Sequence, residues 1–203
     1  MAVCALCGNE MLCKGRVCVC NTCRIIHEIK MKAIFLGRFQ PFHLGHVHAV
    51  KEILKECDMI MIAVGSSQEH GTEKNPFSKY EREEMIKLAM KENSIPKEKY
   101  SIIFIPDIIW HDRYVEHVKR HAKFDVFYAS EENVTADLFR KAGEKVKVLK
   151  RIENISGTQI RDILAKSKNK KDIKILKDML PLSVLDYLIE EKAGKRLKEI
   201  AGL

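Results

Sequence analysis

From residue 33 onward, short apolar runs alternate with helical patterns, and that alternation restricts the chain to very few folds. Ala33-Ile34-Phe35-Leu36-Gly37 is an unbroken apolar run closed by glycine, the form of a strand buried on both faces. Leu44 to Cys57 follows with Val47, Val50, Ile53 and Leu54 on one helical face. Met59–Val64 reads as a second strand. Ser78-Lys79-Tyr80-Glu81 is a capping box that opens a helix running through Met90. The series continues with a strand over Tyr100–Ile105 ended by Pro106, a helix near Asp112–His121, and a strand over Asp125–Ala129. Next come a helix ended by Gly143 and a fifth strand at Val146–Leu149. After Ser156 the chain reads as helical, with Pro181 restarting a helix at its first turn. Strands buried on both faces and separated by helices imply an α/β fold with a doubly wound, five-stranded parallel sheet of Rossmann-like type. Ligands in such sheets bind beyond the carboxyl ends of the strands. The residues that follow Gly37 stand where a ligand should be.

Residues 1–29 have a different composition. Six of the seven cysteines fall between Cys4 and Cys23, and in a cytosolic protein, where disulfides are disfavoured, such a cluster points first to a metal site. Cys4-x2-Cys7 and Cys20-x2-Cys23 are separated by twelve residues, a zinc-ribbon spacing. Four thiolates around Zn2+ would hold a segment too short to fold by core burial alone, as a closed and therefore structural site. Cys13, Cys18 and His27 remain substitutes for any one of these ligands. An iron–sulfur cluster is the alternative, without a ferredoxin-type spacing to support it. Cys57 stands alone in an apolar helical pattern and reads as a small core residue. The expected organisation is a Cys-rich zinc-ribbon-like module over 1–29 and an α/β domain with a helical C-terminal region over 31–203, with the boundary at Lys30-Met31-Lys32.

The segment after the first strand is Gly37-Arg38-Phe39-Gln40-Pro41-Phe42-His43-Leu44-Gly45-His46. Gly37 lets the backbone turn beside a phosphate, and Gly45 keeps the helix start free of a side chain. Free N–H groups and the helix dipole favour an anion there. His43 and His46 lie three apart, on one side of the first turn, where imidazoles can stabilise charge building on phosphoryl oxygens. Neither a Walker A sequence nor GxGxxG is present, so a P-loop NTPase or a dinucleotide-fold oxidoreductase is disfavoured. A second element, Ile155-Ser156-Gly157-Thr158-Gln159-Ile160-Arg161, opens the helix after the fifth strand. Its hydroxyls, N–H groups and Arg161 suit a triphosphate.

HxGH followed late in the chain by ISGTxIR resembles the nucleotidylyltransferase superfamily. With Gly65-Ser66-Ser67-Gln68, the Asn75-Pro76-Phe77-Ser78 turn and Glu81-Arg82, it most resembles the archaeal nicotinamide-mononucleotide (NMN) adenylyltransferases. The likeness covers about residues 31–200. It implies AMP transfer from ATP to NMN, giving NAD and pyrophosphate by in-line attack at phosphorus, with Mg2+ accompanying ATP. By the same resemblance His43, His46 and Arg161 are catalytic. Gly37, Arg38, Phe39, Gln40, Gly45, Lys74, Ser156 and Thr158 bind ATP and its phosphates. Tyr114, where the family carries a tryptophan that stacks on nicotinamide, binds the acceptor, with Trp110 as an auxiliary. Acidic Glu131 and Glu132 occupy a loop, Ser130–Asn133, that the family fills with amides. Two other functions stay open. One is adenylyl or cytidylyl transfer to another phosphate-bearing acceptor, such as FMN or pantetheine phosphate. The other is a nucleotide-sensing, nucleic-acid-binding regulator that uses the zinc ribbon.

A net charge of +8 fits an anionic partner but does not choose between nucleotide and nucleic acid. The densest lysine run, Lys166–Lys171, has no interleaved aromatic residues. Nucleic acid is therefore a partner without independent support, and a homo-oligomer is expected. No apolar run approaches the roughly 18 residues needed to cross a bilayer, and no signal-peptide core is visible. A cytoplasmic protein without a membrane partner is expected.

Overall fold

The computed structural model describes residues 3–14, 16–28, 30–131, 133–150, 152–167 and 173–202. The side chains of His27, Glu28 and His111 fall outside that description. The chain divides into two compact units, Met1–Met31 and Lys32–Leu203.

The small unit is a three-stranded antiparallel sheet of β1 (Met11–Lys14), β2 (Val17–Cys20) and β3 (Ile26–Glu28), in the order β1-β2-β3. Its register sets Cys13 directly opposite Cys18, and the two form a disulfide with S–S 2.05 Å. This corrects two expectations: the module contains a disulfide, and neither Cys13 nor Cys18 is available as a metal ligand. The reason is the hairpin, whose pairing brings these two side chains together and leaves Cys4, Cys7, Cys20 and Cys23 free of disulfides. The question of His27 as a substitute ligand lies outside the described side chains.

In the large unit five parallel strands are ordered β6-β5-β4-β7-β8. They are β4 (Lys32–Gly37), β5 (Met59–Val64), β6 (Tyr100–Phe104), β7 (Val126–Ala129) and β8 (Val146–Val148). Between them run α1 (Leu44–Glu56), α2 (Lys79–Glu92), α3 (Tyr114–His121) and α4 (Val134–Lys141), and α5 (Gly157–Lys166), α6 (Leu182–Glu190) and α7 (Ala193–Ala201) follow. Chain order steps outward from β4 to β5 and β6, then crosses to β7 and β8 on the other side. The carboxyl ends of β4 and β7 therefore flank the topological switch point.

Alternate residues of a strand face opposite sides of the sheet, and β4 shows why both sides need covering. Ile34 packs with Val115 and Val118 of α3 and Ala136 and Phe139 of α4. Its neighbour Phe35 lies against the ring of His46 on α1. Ile34 and Phe35 are both essentially fully buried. No helix among the described residues is long and apolar enough to cross a membrane.

The elements match the sequence pattern closely, with two local differences. The turn before α3 is a short 3-10 segment, His111–Arg113, so the α-helix proper begins only at Tyr114. Pro181 is the N-cap of α6 and not its first helical residue, with ψ 141°. The missing cap comes from a distant element: Glu92 at the end of α2 accepts the Leu182 and Ser183 N–H groups at 3.0 and 2.7 Å.

Candidate active site

The expected phosphate segment leaves β4 at Gly37 and enters α1. Two absent side chains make its geometry. A Cβ on Gly37 would lie 2.7 Å from the Phe39 ring, so glycine here admits that ring, beyond any closeness to a ligand. Phe39 takes a left-handed backbone, φ 53°, and its ring meets His46 edge-on with centroids 4.9 Å apart. A Cβ on Gly45 would lie 3.0 Å from the His43 imidazole, so this glycine makes room for His43. Phe42 completes the packing, 5.1 Å from His46. The His43 and His46 rings stack at 3.6 Å. His46 Nδ1 accepts the His43 backbone N–H at 3.2 Å, which places the proton of a neutral His46 on Nε2. The motif thus delivers one imidazole with a fixed rotamer and a defined donor nitrogen.

The second element docks against the first. Gly157, the first residue of α5, lies so near Gln40 that a Cβ would stand 2.7 Å from the Gln40 carbonyl oxygen. Arg161 donates to that same carbonyl at 2.8 Å and to Thr158 Oγ1 at 3.3 Å. Ser156 caps α5 by accepting the Gln159 N–H at 3.2 Å. Burial first, and then the neighbouring Arg38 guanidinium, pull Arg161 below the ordinary arginine range. Asp162 and Glu73 oppose this only in part, so the two guanidiniums that line one space favour an anion there.

Beneath both loops lies a residue the sequence quoted without a role. Arg82 of α2 is fully buried and donates to four backbone carbonyls. These are Gly65 at 2.8 Å, Arg38 at 3.0 Å, Ser66 at 3.1 Å and Ser78 at 3.2 Å. Burial lowers its pKa to about 10, which still leaves it a cation. Gln40 works similarly: its side-chain amide donates to Phe77 O and accepts from Phe77 N, both at 2.9 Å. Its side chain thus holds the phosphate segment to the Asn75–Ser78 turn.

The two loops line a cleft of about 730 Å3 at the carboxyl ends of the strands. It gathers Gly37, Arg38, Phe39, Gln40, His43, His46, Lys74, Ser156, Thr158, Arg161 and Tyr114, all singled out from the sequence. Gly45 is outside the lining and acts only by leaving room for His43. Trp110 is not brought in; it is 64% exposed and outside the lining, because it stands in the irregular segment before α3. Glu131 lines the cleft, and Glu132 lies outside the described residues. Asp107, Ile108, Gly65 and Ser66 line it without having been singled out for that role. Tyr114 is largely buried, which, with Asp107 nearby, pushes its hydroxyl up to about 12.

In the small unit the Sγ atoms of Cys4, Cys7, Cys20 and Cys23 all lie within 4.8 Å of one another. Cys4–Cys23 is 3.5 Å, Cys7–Cys20 3.4 Å and Cys7–Cys23 3.8 Å. Tetrahedral thiolates about 2.3 Å from one ion would sit at about such spacings. The cluster could hold a metal ion.

An anion-seeking cleft at the switch point, built from helix N-termini and not from a Gly-rich dinucleotide loop, marks the nucleotidyltransferase class of doubly wound proteins. Residues 34–163 match the cytidylyltransferase-like family. Nicotinamide-nucleotide adenylyltransferases of Thermococcus sibiricus and Saccharolobus solfataricus are 34% and 35% identical over 174 residues, which is 84% of this chain and 90% and 97% of theirs. The chain belongs to the cytidylyltransferase-like family and, within it, to the nicotinamide-nucleotide adenylyltransferases. Solved structures agree on the fold. A bifunctional NMN adenylyltransferase/ADP ribose pyrophosphatase from Francisella tularensis gives a TM-score of 0.59 at 21% identity, over 81% of this chain and 54% of that one. This chain therefore spans about half of the Francisella protein. A Plasmodium falciparum nicotinic acid mononucleotide adenylyltransferase complexed with NaAD gives 0.56 at 12% identity, over 82% and 98%.

Proposed function

We propose that the protein transfers AMP from ATP to nicotinamide mononucleotide, forming NAD and releasing pyrophosphate, in the cytoplasm where both substrates are held. The observation that carries this reading is the convergence of Arg38, Arg161, His43, His46 and the N-termini of α1 and α5 on one cleft. An oxygen of the NMN 5′-phosphate attacks the α-phosphorus of ATP. The bond from that phosphorus to the bridging oxygen breaks, and pyrophosphate leaves on the opposite side. No covalent intermediate with the protein is needed, so positioning and charge stabilisation supply the rate. His46 Nε2–H, held by the ring packing of Phe39 and Phe42, donates to the phosphoryl oxygens as they gain charge. His43 holds the same phosphates beside it. Arg38, Lys74 and Arg161 bind the pyrophosphate portion, with Ser156 and Thr158 at the start of α5.

Mg2+ belongs to the ATP. Around the phosphate-binding residues the cleft offers Arg38, Lys74 and Arg161 with the N–H groups that open α5, a donor set for phosphate oxygens. At the other end, Tyr114 and Asp107 combine an aromatic face with a negative charge, which suits a cationic pyridinium ring. In the small unit, Zn2+ fits the four-thiolate set of Cys4, Cys7, Cys20 and Cys23 and would supply folding energy and no step of the reaction.

Incubation with ATP, Mg2+ and a panel of NMN, nicotinic acid mononucleotide, FMN and pantetheine phosphate, with products identified by mass spectrometry, tests the assignment. NAD and pyrophosphate in equal amounts are expected. Turnover of another acceptor without NAD formation would sink it.

A further inference from the structure

The wall of the cleft after β6 is the turn Pro106-Asp107-Ile108, and no helix or strand hydrogen bonds hold it in place. Asp107 and Ile108 line the cleft together with Tyr114. Two side chains from different elements fasten this turn. Gln68, after β5, accepts the Asp107 backbone N–H at 3.0 Å and donates to Asp107 Oδ2 at 3.4 Å. His117, one turn along α3 from Tyr114, contacts the Pro106 carbonyl through Nε2 at 2.9 Å. A carbonyl only accepts, so the proton must sit on His117 Nε2. The imidazole is flanked by the His121 ring at 4.6 Å, inclined at 64°, and the Tyr114 ring at 6.4 Å. The helix that presents Tyr114 therefore also holds the turn that presents Asp107 and Ile108.

We propose that His117 is a positioning residue for the acceptor: by holding the Pro106 carbonyl it fixes the distance between the Tyr114 ring and the Asp107–Ile108 wall. It does not line the cleft and does not touch the phosphate residues. Its effect should be confined to the acceptor end. The inference rests on the placement of the acceptor beside Tyr114, and it deepens that reading by naming what sets the width of the slot.

The test is steady-state kinetics on wild type, His117→Leu and His117→Gln, with each substrate varied at saturating levels of the other and thermal midpoints measured in parallel. Leucine removes the donor. Glutamine keeps an N–H close to the position of Nε2. His117→Leu is expected to raise the acceptor KM about 5–10-fold, the size of one lost hydrogen bond, with the ATP KM within about twofold. His117→Gln is expected to return the acceptor KM to within about twofold of wild type. An unchanged acceptor KM in His117→Leu, an ATP KM rising in step with it, or a Gln variant no better than Leu would each overturn the proposal. Should the Leu variant not fold, His117→Asn, whose amide stops one bond short of the carbonyl, takes its place. Wild-type turnover of a different acceptor would remove NMN from the reading while the His117 comparison is decided on that acceptor. A wild-type chain that turns over none of them would overturn both.

Discussion

Replacing Arg82 separates its structural from its electrostatic role, because the two nearly cancel in stability. The guanidinium is fully buried with no carboxylate bonded to it, and its pKa falls from 12.5 to about 10. That drop corresponds to roughly 3 kcal/mol of unfavourable burial of the charge. Against it stand the four carbonyls. Ser78 O also accepts the Arg82 backbone N–H and Ser66 O the Glu69 N–H, so losing the side chain orphans chiefly Arg38 O and Gly65 O. Each costs roughly 1–3 kcal/mol when left without a donor. Arg82→Met, which restores apolar volume without charge, should therefore change the unfolding free energy by no more than about 3 kcal/mol. Function should not be spared, because the loops at Arg38 and Ser66 lose their common anchor and Ser66 has a left-handed backbone, φ 45°. ATP KM should rise about tenfold or more and kcat fall about 10²-fold. Arg82→Lys should be the less stable variant: it keeps a buried charge but offers one point donor to carbonyls arranged for a planar fork. Urea titration and initial-rate kinetics on both variants check this. A Lys variant at least as stable as Met, or a Met variant with wild-type ATP KM, would refute the reasoning.

Gly157→Ala would normally favour a helix by up to about 1 kcal/mol; here it should lower kcat/KM for ATP about tenfold, because its Cβ meets the Gln40 carbonyl, and kinetics at varied ATP read this directly. His46→Ala should lower kcat by about 10² or more through lost charge stabilisation; a near-normal rate would remove it from the mechanism. Burial raises the Glu81 carboxyl, but Arg196 at 2.6 Å and the Ser78 N–H at 2.8 Å outweigh it and hold its pKa low. A carboxyl held low by folding stabilises above its unfolded value, near about 4.3, and that contribution fades as pH falls through the lower folded value. Glu81→Gln should thus cost about 1 kcal/mol at neutral pH and flatten the loss of stability seen in wild type below about pH 5. Elemental analysis should find one zinc per chain, lost in Cys20→Ser together with hydrogen-exchange protection of Met11–Cys20; a metal-free wild type that keeps this protection would dismiss the site.

How far the sequence revealed this molecule depended on how far apart the partners lie. Strands such as Lys32–Gly37 and the Ser78–Glu81 capping box are written in consecutive residues, and they appear where the pattern put them. The α6 cap does not, because its donor groups at 182 and 183 are met by Glu92, some ninety residues earlier. The same holds inside the site. HxGH could be read because its spacing is helical, whereas the purpose of its glycine is visible only once the His43 ring is seen to fill the space beside it. Trp110 and Tyr114 differ by a single helical turn in sequence, and periodicity alone does not say which of them reaches the cleft. Tyr114 lines it and Trp110 does not because of where α3 starts, a boundary set by the 3-10 turn His111–Arg113, and periodicity is least informative at such boundaries.

Arg82 shows why a motif search finds the chemistry before it finds the support. Residues that touch phosphate must carry particular groups at particular spacings, so they cluster in short segments that can be recognised from sequence. A residue that holds three such segments together has no fixed spacing from any of them. In a helix reading Glu81-Arg82-Glu83-Glu84, a cation among acids looks like a solvated ion pair. Its neighbours go elsewhere: Glu81 to the α2 cap and Arg196, Glu83 to Lys87. Arg82 alone turns inward, because backbone carbonyls converge beneath the cleft where two loops leave parallel strands. Parallel strands all end at the same edge of the sheet, so a phosphate site at the switch point leaves loop carbonyls aimed away from the ligand. A buried guanidinium with five donors meets that geometry in a way that no single backbone pairing does. Cations therefore stand on both sides of these loops: Arg38 and Arg161 line the cleft, and Arg82 faces the backbone that positions them.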